Sequence, residues 1–384
     1  MTSELRRAEL PDHIDTYVDE DPYFAWQKSE GVKVIVDNVF EDLSTVELGP
    51  WERKGGSGAI INIPNPMLLN DSHLVEIRPG GKSEPEHHLY EETMYVVSGR
   101  GATSVWLDEG RKSTFEWRAG SLLTIPLNAW YQHFNGSGSE PARYISVTNA
   151  PPVMRMWTNP AFIFDNPFRF TDRFSGDDAD YFNGTGKLFQ GSSNHFSTIW
   201  TTNFVPNADT MPLWDYGHRG AGGINTHFRM GGNVTRAHIS EFPVGTYKKA
   251  HRHGPGAHLV ILGGVGFSLL WMAGQERVRV DWKRGGMVIV PADAMFHQHC
   301  NTGPEPARYL AYTPNGNGTP RDIGMSSGSV SVKEGGTQIE YDDEDPEIHR
   351  IFEADLKAHG APCRMKAFVP WCTGEVGPTN ARDT

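Results

Sequence analysis

Apolar and polar positions alternate with a period of two in short runs over most of the chain, as in Val32-Lys-Val-Ile-Val-Asp-Asn-Val-Phe40, and Gly, Pro and Asn separate the runs. That period belongs to strands with one buried face. Gly55-Gly-Ser-Gly58 reads as a turn before Ala59-Ile-Ile-Asn-Ile63, and short strands follow one another to about Thr148. A second series runs from about Thr235 to Tyr312. Residues 151–234 lie between them and are too aromatic for a flexible linker, so they are expected to pack over the strand-rich units, with short helices. Helical spacing is confined to two places. Residues 11–30, with Tyr17, Tyr23, Phe24 and Trp26, predict a short amphipathic helix with irregular flanks. Residues 346–359 predict a second, with Ile348, Ile351, Phe352 and Leu356 on one stripe, Asp345 as N-cap, Pro346 at the first position and Gly360 beyond the end. Its apolar stripe is expected to dock on a domain or on a neighbouring subunit, and the chain is expected to form a homo-oligomer. Pro314 to Gly318 and Ser326 to Ser329 read as loops.

The two strand-rich regions share one register. Gly80 and Gly245, Trp117 and Trp282, Gly120 and Gly285, Pro126 and Pro291, and Glu140-Pro-Ala-Arg-Tyr144 and Glu305-Pro-Ala-Arg-Tyr309 are each separated by 165 positions. Chance does not hold one offset over five landmarks, so the chain is predicted to be a tandem duplication of an all-β unit with approximate two-fold symmetry. The expected organisation is an N-terminal segment plus first unit over 1–150, a connector over 151–234, a second unit over 235–315 and a C-terminal extension over 316–384.

Composition narrows the partners. A net charge of -12 and a pI near 5.7 argue against nucleic acid or an anionic membrane, since both require clustered Lys and Arg. No run approaches the roughly 18 apolar residues of a membrane span, and the N-terminus lacks the apolar core of a signal peptide, which predicts a cytoplasmic protein. Three cysteines, at 300, 363 and 372, without Cys-x-x-Cys spacing support neither a disulfide framework nor a thiolate zinc site. Cys300 is expected to be a buried apolar filler.

Histidine pattern carries the chemistry. His251 and His253, and again His297 and His299, are two residues apart in period-two stretches and therefore share a strand face. If the two stretches pair, up to four imidazoles converge on one cavity. Three neutral nitrogen donors with open positions suit Fe(II), Mn(II), Ni(II), Cu(II) or Zn(II).

Each half resembles a cupin, and two halves a bicupin. The cupin motifs read G, five residues, H-x-H, three or four residues, E, six residues, G, and then G, five residues, P-x-G, two residues, H, three residues, N. The second motif aligns as Gly120, Pro126, Tyr131, Asn135 and as Gly285, Pro291, His297, Asn301, with one extra residue before the histidine. The resemblance implies an all-β fold of two tandem jelly-roll barrels with a few short helices and the C-terminal helix. It also implies metal ligation by His251, His253 and His297, with Ala257 where many cupins place glutamate and His258 next to it. His299 becomes a candidate acid/base or hydrogen-bonding group. In the first half the ligand positions read Glu86, His88, Glu92 and Tyr131. With His133, the set Glu86, His88, Glu92, His133 either holds a hard divalent ion or is a decayed site. Arg143 and Arg308 recur in both halves, which points to structural salt bridges.

The three-histidine set is similar to that of gentisate- and salicylate-type ring-cleaving dioxygenases. The resemblance implies a non-haem Fe(II) dioxygenase acting on a small aromatic or oxygen-bearing acid with O2. Gly254-Pro-Gly-Ala-His258 departs from the usual dioxygenase continuation. The alternative is a redox-neutral metal-dependent isomerase, lyase or decarboxylase of the bicupin type, in which the metal acts as a Lewis acid.

Overall fold

The computed structural model describes residues 13, 18–64, 68–108, 111–176, 180–190, 198–253, 256–291, 295–314 and 330–374. The predicted loops after Pro314 and at 326–329 lie outside the described residues. The fold is mostly β, as the alternation requires, in two repeats of the same topology. In the first repeat one large sheet orders the strands Lys33–Val36, Gly56–Asn62, Asp71–Ile77, Ala142–Thr148, Glu92–Ser98 and Leu122–Ile125. It faces a three-stranded sheet of Trp130–Asn135, Arg100–Trp106 and Ser113–Arg118. The second repeat matches this plan: Arg236–Phe242, Ala307–Thr313, Ala257–Gly263 and Met287–Val290 sit in the large sheet, and Val278–Lys283, Val265–Trp271 and Phe296–Asn301 in the small one.

The repeat begins earlier in the chain than the motif landmarks reveal. Lys33–Val36 pairs in parallel with Gly56–Asn62, and Thr198–Thr201 in parallel with Ile224–Arg229. The short strands Val39–Phe40 and Phe204–Val205 are exchanged: the former pairs with Met287 and Val288 of the second half, the latter with Leu122 and Leu123 of the first. Each repeat therefore completes the other's large sheet. A continuous core unites them, running from Trp51, Leu74 and Ile145 to Ile239, Leu310 and Tyr312.

The recurring residues have recurring structural jobs. Asn135 and Asn301 each donate their amide to three backbone carbonyls that close the turn before the last strand. Arg143 pairs with Glu76 at 2.7 Å and Arg308 with Glu241 at 2.9 Å, and both guanidiniums also bond carbonyls of the exchanged arms, so these arginines are structural. Gly101 and Gly266 lie under the indoles of Trp117 and Trp282. A Cβ on Gly266 would stand 2.0 Å from the Cys300 carbonyl oxygen and 2.7 Å from the indole. Gly266→Ala is expected to cost about 3 kcal/mol through backbone displacement in a packed barrel, read as a lower urea midpoint; an unchanged midpoint would contradict this packing.

The helix Pro22–Glu30 is capped by the Asp21 carboxylate, which accepts from the Tyr23 and Phe24 amides. Short helices at Ala150–Trp157 and Pro160–Phe164 follow the first repeat. The helix Pro346–His359 begins and ends where its caps dictate: Asp345 accepts from the Glu347 amide, and Gly360 turns out at φ 66°. Ile348, Phe352 and Leu356 pack on Tyr247, Phe267 and Cys300 of the second barrel, so the apolar stripe docks within the chain and Cys300 is buried filler beneath it.

Candidate metal centre

The segment carrying His251 runs antiparallel to the strand Phe296–Asn301, with a backbone bridge between His251 and His297. That pairing, together with the strand alternation, places His251, His253 and His297 on one face. Their ring nitrogens lie within 4.8 Å of one another, and among the described residues the group contains no carboxylate. Ring centroids of His251 and His297 are 4.1 Å apart, those of His253 and His297 4.8 Å. His251 Nδ1 lies 3.2 Å from the Lys249 carbonyl and His297 Nδ1 3.2 Å from the Met295 carbonyl. Each carbonyl favours the proton on Nδ1 and leaves Nε2 as a lone pair, the form in which imidazole binds a metal. Burial lowers the pKa of His251 and His297 well below the usual range, and that of His253 to about 4, so all three are neutral at pH 7. The donor set thus fits a divalent transition ion with positions open for substrate. Ala257 stands where a fourth ligand would come. His258 points elsewhere, its Nδ1 2.8 Å from Ser72 Oγ in the first repeat.

His299 is buried beside this group, its ring 5.6 Å from that of His297. Trp282 Nε1 donates to Ser268 Oγ at 2.9 Å, and that hydroxyl lies 2.7 Å from His299 Nδ1. The first repeat contains the same relay: Trp117 donates to Thr103, and Thr103 Oγ1 lies 2.7 Å from His133 Nδ1. These hydroxyls hold Nδ1, and Nε2 is the ring nitrogen left for another partner. Burial pushes both His299 and His133 down to about 3, so each is a neutral hydrogen-bonding ring at pH 7.

Two residues that the motif reading did not select lie beside the group. Arg219 ends the turn Gly217–Arg219 and donates to Gln338 at 3.0 Å. It lies close enough that, after burial, its charge lowers the pKa of His251, His253 and His299. Lys248 is buried, donates to Tyr309 Oη at 2.8 Å and also to Ser240 Oγ, and burial holds its pKa well below the usual lysine range.

The first barrel uses the same positions differently. Lys54 occupies the register of Arg219, and its ammonium is fully buried 2.7 Å from Glu86 Oε1 and 3.2 Å from Tyr131 Oη. Tyr131 donates to Glu92 at 2.8 Å and lies 3.0 Å from His88 Nε2, which is itself 3.2 Å from Glu92. Glu86, His88, Glu92 and Tyr131 are therefore bonded to one another and to an ammonium. Glu86 Oε2, Glu92 Oε1 and His133 Nε2 accept no hydrogen bond among the described residues. The 165-residue offset, carried back to Trp51/Tyr216, Lys54/Arg219 and Gly55/Gly220, was the signal that could have found both cations.

Tyr247, Glu344 and Gln298 tie the C-terminal extension to the strand of His297: Tyr247 donates to the Glu344 carboxylate, and Gln298 Nε2 donates to it at 2.9 Å. Burial raises Glu344 to about 7. A carboxyl with a raised folded pKa stabilises fully below its unfolded value of about 4.3 and loses that contribution as pH rises through 7. Glu344→Gln should remove up to about 3 kcal/mol of this slope, so the variant gains on the wild type between pH 5 and 8; parallel urea midpoints across that range would refute the assignment.

Residues 73–148 match the family model described as Cupin domain. The second repeat reproduces that unit strand for strand. The chain has the fold of a bicupin. Two variants of oxalate decarboxylase from Bacillus subtilis are similar solved structures. One is 14% identical over 73% of this bicupin and 78% of that chain, with a TM-score of 0.48. The other is 14% identical over 74% and 78%, with a TM-score of 0.47. No curated protein sequence matches the bicupin significantly. No helix among the described residues is long and apolar enough to cross a membrane.

Proposed function

We propose that this bicupin is a metal-dependent enzyme whose second barrel acts on a small carboxylic acid by redox-neutral chemistry, as a decarboxylase, lyase or isomerase. The observation that carries the reading is the charge of the group: three neutral imidazoles, Arg219 beside them, and no carboxylate in the ligand group among the described residues. A divalent ion held by His251, His253 and His297 would keep its full charge and supply Lewis acidity towards a bound carboxylate or carbonyl.

The chain's own residues supply the rest. Arg219, steadied by Gln338, pairs with the substrate carboxylate and fixes its orientation. Lys248 with Tyr309, and His299 through Nε2, are the groups that move a proton. For decarboxylation the bond to the departing CO2 breaks, its electron pair stays on carbon, and one proton from this set closes the valence. Ser268 and Trp282 position His299 for that transfer. In the first barrel the Lys54 ammonium takes the place of a metal, so Glu86, His88, Glu92 and His133 serve stability.

A ring-cleaving dioxygenase is the second reading, favoured by the all-imidazole set, which suits Fe(II). Metal analysis of protein purified without oxygen, followed by turnover of a panel of small mono- and dicarboxylic and aromatic acids, separates the two. Product formation in strictly anaerobic buffer is expected. Stoichiometric O2 uptake with no anaerobic turnover would replace the first reading by the second. Arg219→Ala should raise KM about 10- to 100-fold, the worth of one charge-assisted hydrogen bond, with a smaller change in kcat.

A further inference from the structure

We infer that the C-terminal extension carries a second metal site of a different kind, a closed Zn(II) site built from His349, Glu353, Cys363 and Cys372. It does not rest on the reading of the second barrel. The four donor atoms lie within 4.8 Å of one another. His349 and Glu353 are one turn apart on the helix Pro346–His359 and so face the same way. Gly360 reverses the chain and brings Cys363 back against that face, and the turn ending in Cys372 adds the fourth donor. His349 Nε2 is 2.9 Å from Glu353 Oε1, Cys363 Sγ is 3.5 Å from Cys372 Sγ, and Cys372 Sγ is 3.9 Å from Glu353 Oε1. These three of the six donor–donor edges bracket those of a tetrahedron around zinc, for which Zn–S of about 2.3 Å and Zn–N of about 2.0 Å give edges of about 3.3 to 3.8 Å. The sulfurs are free thiols. His349 and both cysteines are buried, and Glu353 is half-buried at the rim.

The surroundings of His349 also suit a bound cation. With Glu344 ionised, Tyr247 gives its only proton to that carboxylate, and its oxygen accepts at 3.2 Å from His349 Nδ1. Nε2 then lies 2.9 Å from a carboxylate oxygen, a pair that either a shared proton or a metal ion bridges. A hydrogen bond on the far nitrogen is also what orients a metal-ligating imidazole. Two thiolates, one carboxylate and one neutral imidazole close the coordination sphere, so the site is structural. Binding releases the two thiol protons to solvent. Its effect is to clamp the helix and residues 361–373 onto Tyr247, Phe267 and Cys300. The same extension carries Gln338, which bridges His251 and holds Arg219.

The test uses the full chain with His251 and His297 replaced by alanine, so that zinc at the three-histidine group does not contribute. Zinc content is measured after gel filtration, and Co(II) is then exchanged in. Retained zinc close to one ion per chain is expected, together with a near-ultraviolet sulfur-to-cobalt charge-transfer band, which an all-imidazole site cannot produce. Both are expected to disappear in Cys363→Ser, and Glu353→Gln should weaken retention at least tenfold while the far-ultraviolet circular dichroism stays unchanged. If Cys363→Ser fails to fold, the band of the wild-type chain and its loss to a chelator decide. Absence of zinc and of the band, or a Cys363–Cys372 disulfide in the intact mass, would overturn the site.

Discussion

His297→Ala is expected to empty the second barrel of its metal and abolish turnover while leaving the fold in place. Three imidazoles make up the ligand group among the described residues, and the backbone of His297 also bridges His251. Losing a partner outside the coordination sphere costs 10–100-fold in metal affinity, and losing one ligand of three should cost at least about 100-fold on the same scale. The fold should survive because the strand Phe296–Asn301 is held by its ladder to Val265–Trp271 and by Asn301 rather than by the imidazole. His299→Ala is the contrast. It should keep the metal and lose about 10²–10⁴ in kcat, the range of a lost proton-transfer group. Metal content after gel filtration, measured beside turnover, checks both. A His297→Ala chain that retains metal at the wild-type level, with the Cys363 group accounted for, would remove the ligand assignment.

Lys54→Met is expected to cost about 3–5 kcal/mol, because it leaves carboxylates buried without their cation. The ammonium is fully buried against Glu86, and Glu92 is equally inaccessible. Burial by itself would raise the Glu92 pKa; the charge of Lys54, with His88, instead holds it well below the usual carboxylate range. A carboxyl with a depressed folded pKa stabilises above its unfolded value and loses that contribution as pH falls through the folded one. Without Lys54 the depression ends, so the deficit of the variant should be largest near neutrality and shrink towards pH 4. Adding Glu86→Gln should recover part of the loss, since removing both partners leaves fewer uncompensated charges. Urea midpoints across pH for wild type, single and double variants provide the measurement. A single-variant deficit below about 1 kcal/mol would mean that the pair behaves like an exposed one, contrary to its burial.

The two barrels show how one scaffold position takes opposite roles. Lys54 and Arg219 share a register, yet the lysine closes a ring of hydrogen bonds with Glu86 and Tyr131, whereas the arginine is drawn to Gln338 beside three histidines. Changing Glu86 and Tyr131 to histidine at the equivalent positions, 251 and 297, removes the anionic partner that an ammonium requires and leaves neutral donors. One barrel then balances its charge internally, and the other presents neutral donors without a carboxylate among the described residues.

The duplicated β fold, the helix at 346–359 with its caps, the structural arginines and the His251, His253, His297 group were legible in the sequence. Each is written in short-range terms: a period of two, a cap at a fixed offset, an H-x-H on one strand face, or a constant 165-residue register. What the sequence left hidden depends on partners far apart in the chain. The exchanged strands at Val39 and Phe204, the insertion of Lys54 among the ligand positions of the first barrel, the turn of His258 towards Ser72, and the meeting of His349 and Glu353 with Cys363 and Cys372 leave no local period. Cysteine spacing alone offered no thiolate site, because two of the four donors come from a helix and the chain must reverse at Gly360 before the others arrive. Local rules determined which residues could bear chemistry. Only tertiary packing, by setting burial and the charges brought within a few ångströms of each group, decided which of them are balanced by a neighbour and which are not.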